Sequence, residues 1–167
     1  MRVLVLGLGN ILLTDEGLGV RAIEDYRAQC EVPDGVDVVD GGTAGMDLID
    51  IIAGHDVAIV VDAIRTGKGP GAVVVLHDDE VPAVFRQGLS PHQLGLPDVL
   101  AAMALLDLRP PKLILIGTEP LEIKPGIGVS PGVEAAMPTV VATIARQVAL
   151  AGIPPGKTSH GNDAVGL

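Results

Sequence analysis

The stretch VLVLGLGNILLTDEGLGVRAIEDYRAQ, residues 3–29, decides the fold. Its first residues, Val3–Leu8, are apolar without alternation, the pattern of a strand covered on both faces. Glycines at 7 and 9 then break the run, and from Gly17 to Gln29 apolar residues return at helical spacing. A buried strand that feeds a helix opens a β–α–β unit, and the alternation continues down the chain. Val36–Val39, Val57–Val61, Ala72–Leu76 and Leu113–Gly117 read as strands, while Met46–Ala53, Val99–Leu108 and Val133–Ala151 read as helices. The expected architecture is α/β: three α/β/α layers around a mainly parallel, twisted sheet of about five strands. Ala72–Leu76 follows the third strand too closely for a helical crossover, so it is expected to be antiparallel and at an edge. The helix beyond SPHQ is expected to begin at Pro97 or Asp98. In the last helix, Ser130 and Pro131 read as N-cap and first residue, and Pro138 implies a kink or a late start. Residues 1–152 are expected to form one domain, and residues 153–167, rich in Gly and Pro, a flexible tail.

Composition removes several function classes. The formal charge is −10, from 11 basic and 21 acidic residues, which argues against a nucleic-acid partner. Apolar residues make up 48% of the chain, yet no stretch approaches the roughly 18 uninterrupted apolar residues of a membrane span. The apolar start lacks a small-residue cleavage site and runs into Thr14, Asp15 and Glu16, so it reads as strand and loop rather than as a signal peptide. Tyr26 and Phe85 are the aromatic residues, leaving the core to Val, Leu, Ile and Ala. Cys30 is alone, which excludes an internal disulfide and a cysteine-based zinc site and fits a cytoplasmic protein. It reads as a buried or half-buried thiol.

Three motifs invite the wrong chemistry. GLG at 7–9 begins like a dinucleotide fingerprint, but Leu12 stands where the third glycine belongs. GVSPG at 128–132 matches a serine-hydrolase elbow, but the residue after the serine is Pro131, which has no N–H for an oxyanion hole. AGIPPGKT at 151–158 approaches a phosphate loop, but two prolines remove cradling amides. His55, His77 and His160 read as solvated polar residues.

In an open parallel sheet, ligands gather beyond the carboxyl ends of the strands. The loop Gly9–Asp15, the segment DGGTAG (residues 40–45) and Asp62 all reach that rim, and His92 lies in SPHQ (residues 90–93), a loop able to cover it. Asp15 is expected to cap the first helix, which leaves Glu16 for ligation. The DGGTAG glycines allow close backbone approach to a bound chain, with Asp40 and Thr43 as polar contacts. Asp62 ends an apolar strand, where a carboxylate needs a partner or a cation. Two carboxylates and an imidazole from Glu16, Asp62 and His92 suit a borderline divalent metal with open coordination positions.

These segments carry a resemblance. GLGNILLTDEGLG, DGGTAG, VDA at 61–63, SPHQ, and IGTEP at 116–120 followed by GVSPGVEAAMP resemble, in order and spacing, the hydrogenase maturation endopeptidases. The likeness covers about residues 3–150. It implies an enzyme that removes a short C-terminal extension from the precursor of a [NiFe] hydrogenase large subunit after nickel insertion. It also implies that Glu16, Asp62 and His92 contact nickel supplied by the substrate, other divalent ions being able to occupy the site in vitro. Asp40 falls where the family has a residue tied to activity or specificity. Asp40 and Glu16 are the candidate general bases, with metal-activated water as the competing route. The partner implied is the large-subunit precursor, met by a monomer without membrane insertion. A non-cleaving nickel-dependent binding partner would use the same ligands. A peptidyl-tRNA hydrolase also starts with a strand and a GLGN turn, but it calls for a basic surface and leaves DEG, DGGT and SPHQ unexplained.

Overall fold

In the computed structural model, which describes residues 1–86 and 95–152, the unbroken apolar runs become strands β1 (Val3–Leu8), β2 (Val36–Gly42), β3 (Val57–Ala63), β4 (Val73–His77) and β5 (Lys112–Thr118). They form one sheet in the order β2–β1–β3–β5–β4. All neighbours pair in parallel except β4, which runs antiparallel to β5 at the edge, as its short connection to β3 requires. Helices α1 (Leu18–Gln29), α2 (Leu48–Ile52), α3 (Glu80–Arg86), α4 (Leu96–Leu105) and α5 (Pro131–Leu150) cover both faces.

Strand parity assigns each face its core. Val3, Val5, Ile59, Val61, Ile114 and Ile116 point to one side, where α1 and α5 bury Leu18, Ile23, Met137, Val140 and Ile144 against them. Leu4, Leu6, Ala58, Val60, Leu113 and Leu115 point to the other, where Leu48, Ile52, Val81, Leu96, Leu100 and Met103 cover them. Each fully buried aliphatic side chain contributes about 1.5–3 kcal/mol. Both sides of β1 and β3 are therefore apolar, which explains runs without alternation.

The differences from the expected elements have physical causes. The short helix α3 has no counterpart in the sequence reading, because EVPAVFR is too brief to show a period and carries Pro82. Helix α4 starts at Leu96, just before the expected Pro97 or Asp98, and ends where Asp107 turns left-handed at φ 55°. Helix α5 starts at Pro131 and runs through Pro138, so the late start is not seen. The apolar stripe from Val133 to Val148 holds it across the lost hydrogen bond. His55 is not solvated: it is 7% exposed, with Nε2 2.8 Å from Asp37 Oδ2. Cys30 is a half-buried thiol. Neither His92 nor the expected tail from Ile153 lies among the described residues.

Candidate functional site

Strand β1 connects outward to β2 on one side, and β3 lies on its other side, so the order reverses between β1 and β3. Such a switch point opens a crevice beyond the carboxyl ends of the two strands, where ligands bind in sheets of this kind. The segment after β1 fills one wall of it. Residues Thr14–Gly17 form a 3-10 turn that packs against β3 and leads straight into α1.

Glycines set how tightly that wall closes. At Gly9, φ is 120°, and a Cβ there would lie 1.8 Å from the carbonyl oxygen of Glu16. At Gly19, in the first turn of α1, a Cβ would lie 2.2 Å from Val61 O and 2.5 Å from Leu8 O. The glycine pairs on either side of NILLTDE thus serve close backbone packing, which seats Glu16 at the head of the crevice. Thr14 has φ 52°, a strained conformation for a β-branched residue. It is held there by its hydroxyl, whose single proton faces Leu13 O and Glu122 O, each at 2.8 Å, and which accepts from Lys124 N at 3.2 Å.

Asp15 does not cap α1. It is fully buried, and its carboxylate gathers the segment before α5: Oδ2 accepts from Leu121 N at 2.9 Å, Glu122 N at 3.0 Å and the Ser130 hydroxyl at 2.7 Å. Its Oδ1 accepts from Ser130 N at 2.6 Å. Burial pushes this carboxyl upward, but the hydrogen bonds from Glu122, Ser130 and Leu121 outweigh it and hold the group below the ordinary carboxylate value. Ser130 accordingly occupies the N-cap position of α5 without making a side-chain cap, since its hydroxyl is turned to Asp15.

Glu16 is buried in the turn, 8% exposed. Asp62, the penultimate residue of β3, is fully buried, and its Oδ1 accepts from Ala63 N at 2.8 Å. Asp40 stands apart: it is exposed near the end of β2, opposite Gly7, which in turn lies opposite Val61. Two strand spacings, roughly 10 Å, separate it from β3. Its Oδ1 accepts from Gly42 N at 2.8 Å, so DGG is a carboxylate-braced turn at the sheet edge. His92 lies outside the described residues, and among those described no three acidic, histidine or cysteine side chains gather to hold a metal ion.

One residue of this rim is not among the candidates that the sequence patterns mark. Glu119, 9% exposed, follows β5 and accepts hydrogen bonds from Thr66 N, from the Thr66 hydroxyl at 2.8 Å and from Gly67 N at 3.2 Å. It fastens the loop that follows Asp62. A glutamate directly after an apolar strand was the available signal, the same one that marks Asp62.

Comparison with known proteins assigns the chain to a family. Residues 20–147 match the family model for hydrogenase maturation protease, and the chain is 51% identical over 136 residues to the Hydrogenase 2 maturation protease of Escherichia coli (strain K12). That alignment covers 81% of this chain and 83% of the relative. The chain belongs to the hydrogenase maturation protease family. It is an enzyme of the endopeptidase type. The hydrogenase maturating endopeptidase HybD from E. coli superposes on the protease with TM-score 0.85 at 45% identity, over 92% of this chain and 95% of that one. The [NiFe] hydrogenase maturation protease HybD from Thermococcus kodakarensis does so with TM-score 0.70 at 29% identity, over 88% and 99%. The hydrogenase expression/formation protein HupD of Bradyrhizobium diazoefficiens is 45% identical over 124 residues, 74% of this chain and 65% of the relative. Among the described residues, no helix of the protease is long and apolar enough to cross a membrane.

Proposed function

We propose that the protease removes a short C-terminal extension from the precursor of a [NiFe] hydrogenase large subunit, and that it reads nickel already held by that substrate through Glu16, Asp62 and His92. The observation that carries this reading is the placement of two buried carboxylates, Glu16 and Asp62, about the crevice between β1 and β3. Two carboxylates and an imidazole can complete the coordination of a thiolate-bound nickel ion. A precursor without the metal would forfeit those contacts, so selection follows from the difference in affinity.

For the cleavage step, substrate nickel supplies a Lewis acid beside the scissile carbonyl, and a carboxylate accepts the proton of the attacking water. Glu16, inside the crevice, suits the proton transfer. Asp40, exposed and two strands away, suits contact with the substrate chain, and its loss would act on substrate fit more than on chemistry. The single half-buried cysteine is in keeping with a cytoplasmic site of action.

The test is a processing assay with precursor, nickel-loaded or nickel-free, read by mass spectrometry. Loss of a short C-terminal peptide from the loaded form alone is the expected result. Cutting of both forms would remove the nickel reading and keep the peptidase. Cutting of neither, with nickel-dependent complex formation, would make the chain a binding partner.

A further inference from the structure

We propose that the loop joining β3 to β4 is a docking site for carboxylate groups on the substrate polypeptide, with Arg65 and Lys68 as its cations. The inference rests on the peptidase reading and adds how the precursor is gripped beside the crevice. The protein carries a net charge of −10, yet two of its 11 basic residues fall within four positions of each other, directly after Asp62. Arg65 lies three positions after Asp62, so their Cα atoms are at most about 11 Å apart.

The loop is fixed where it could have been slack. Ile64 N donates to Thr118 O at 2.9 Å, Gly71 N to Glu119 O at 2.8 Å, and Glu119 N to Ala72 O at 2.9 Å, which ties both ends to the end of β5. The buried carboxylate of Glu119 holds the middle through Thr66 and Gly67, and Lys68 N donates to the Thr66 hydroxyl at 3.2 Å. On this backbone the side chains of Arg65 and Lys68 are both exposed. Among the described residues the ion pairs are Arg2–Asp37, His55–Asp37 and Lys124–Glu122, and neither cation of the loop takes part in one. Glu119 Oε2 accepts from Thr66 and Gly67 of the loop rather than from Arg65. Two unpaired cations on a pre-ordered backbone at the mouth of a site, in a protein otherwise repelling acidic chains, are complementary to carboxylates on the incoming substrate. Because the loop backbone is ordered beforehand, engaging them costs the freedom of two side chains but not that of the loop.

The experiment measures kcat and KM of the full chain on nickel-loaded precursor, at low and high salt, for wild type, R65A/K68A, R65E/K68E and the control R109E/R146E. The control makes the same charge change as the double reversal but at two exposed positions, the α4–β5 turn and late α5, that are far in sequence from the rim loops. The reversal is expected to raise KM about ten-fold at low salt with kcat within about two-fold, the alanine pair lying between. The gap should close to about two-fold near 1 M salt, where the screening length is about 3 Å. Equal melting temperatures exclude misfolding. An unmoved KM, a loss confined to kcat, or an equal rise in the control would overturn the docking site while leaving the peptidase intact. A wild-type chain that cuts no precursor would overturn both.

Discussion

Replacing Asp15 with Asn tests whether one buried carboxylate organises the rim. Four donors converge on it, from Leu121, Glu122 and twice from Ser130. In the amide, one oxygen becomes an NH2 group. The least costly orientation turns that group toward Ser130 N, which loses one bond and sets two donors against each other. The other three bonds survive as neutral ones, each weaker by about 1 kcal/mol, and the stranded N–H costs about 1–3 kcal/mol. Relief from burying a charge offsets part of that sum, and bonds sharing one group do not add. The expected loss is about 3 kcal/mol, or a fall in Tm of roughly 6–12 °C for a domain of this size. Ser130→Ala removes a single hydroxyl donor to a carboxylate and should cost about 1.5–2 kcal/mol. Thermal unfolding followed by circular dichroism provides the comparison. Asp15→Asn melting within about 2 °C of wild type, or Ser130→Ala proving the costlier change, would refute the assignment of Asp15 as the organising acceptor.

Stability should also fall in acid. The carboxyls of Asp15 and Asp37 are both held below the ordinary value in the folded chain, Asp37 by its hydrogen bonds to His55 and Arg2. The unfolded chain then binds more protons, so their contribution is complete above the unfolded carboxyl pKa of about 4 and is lost as pH drops through the folded value. Exposed Asp37 adds little, so the loss should vanish largely in Asp15→Asn, and a urea midpoint unchanged between about pH 5 and pH 3 would contradict it. Gly19→Ala sets two effects against each other: helix propensity favours alanine by about 1 kcal/mol, but a Cβ 2.2 Å from Val61 O demands a backbone shift. Packing should win, with a net loss of about 1–3 kcal/mol, and a stabilised variant would refute the interlock. Glu16→Gln and His92→Ala should each leave the fold intact and abolish processing of nickel-loaded precursor, and a fully active His92→Ala enzyme would remove that residue from the metal contact.

What the sequence made legible was whatever is encoded locally. Unbroken apolar runs marked the strands, because a strand buried on both faces has no polar side to show. The short link after Val61 disclosed the antiparallel edge, because no helix fits in it. The errors arose where a side chain finds its partner far along the chain. Asp15 looked like a helix cap because acids in first turns are common, but its four donors lie more than 100 residues away. Ser130 sat at a true N-cap position with its hydroxyl already taken by the same carboxylate. His55 looked solvated, but its ring is buried and is held by Asp37, an exposed carboxylate 18 residues away. The first GLG was legible as a turn and the second as the start of a helix, but the closeness of Gly9 to Glu16 O and of Gly19 to Val61 O exists only once the segments are packed.

The same long-range bonds bear on how such a site would discriminate. The segment from Glu119 to Ser130 is held at both ends by a buried acid, with Asp15 binding it to the loop of Glu16 and Glu119 binding it to the loop of Asp62. The backbone segments that carry the two carboxylates of the proposed nickel contact are therefore tied to one another before substrate arrives. If they rode on slack loops, each would find some other donor on a metal-free precursor, and the difference in affinity would shrink. With a rigid rim, an absent metal leaves the contacts unmade, and each 1.4 kcal/mol of that deficit is about a tenfold preference. On this reasoning Asp15→Asn, assayed below its melting temperature, should lower the ratio of loaded to unloaded binding more than it lowers binding itself. A variant with weakened binding but an unchanged ratio would separate the stability of the rim from its selectivity.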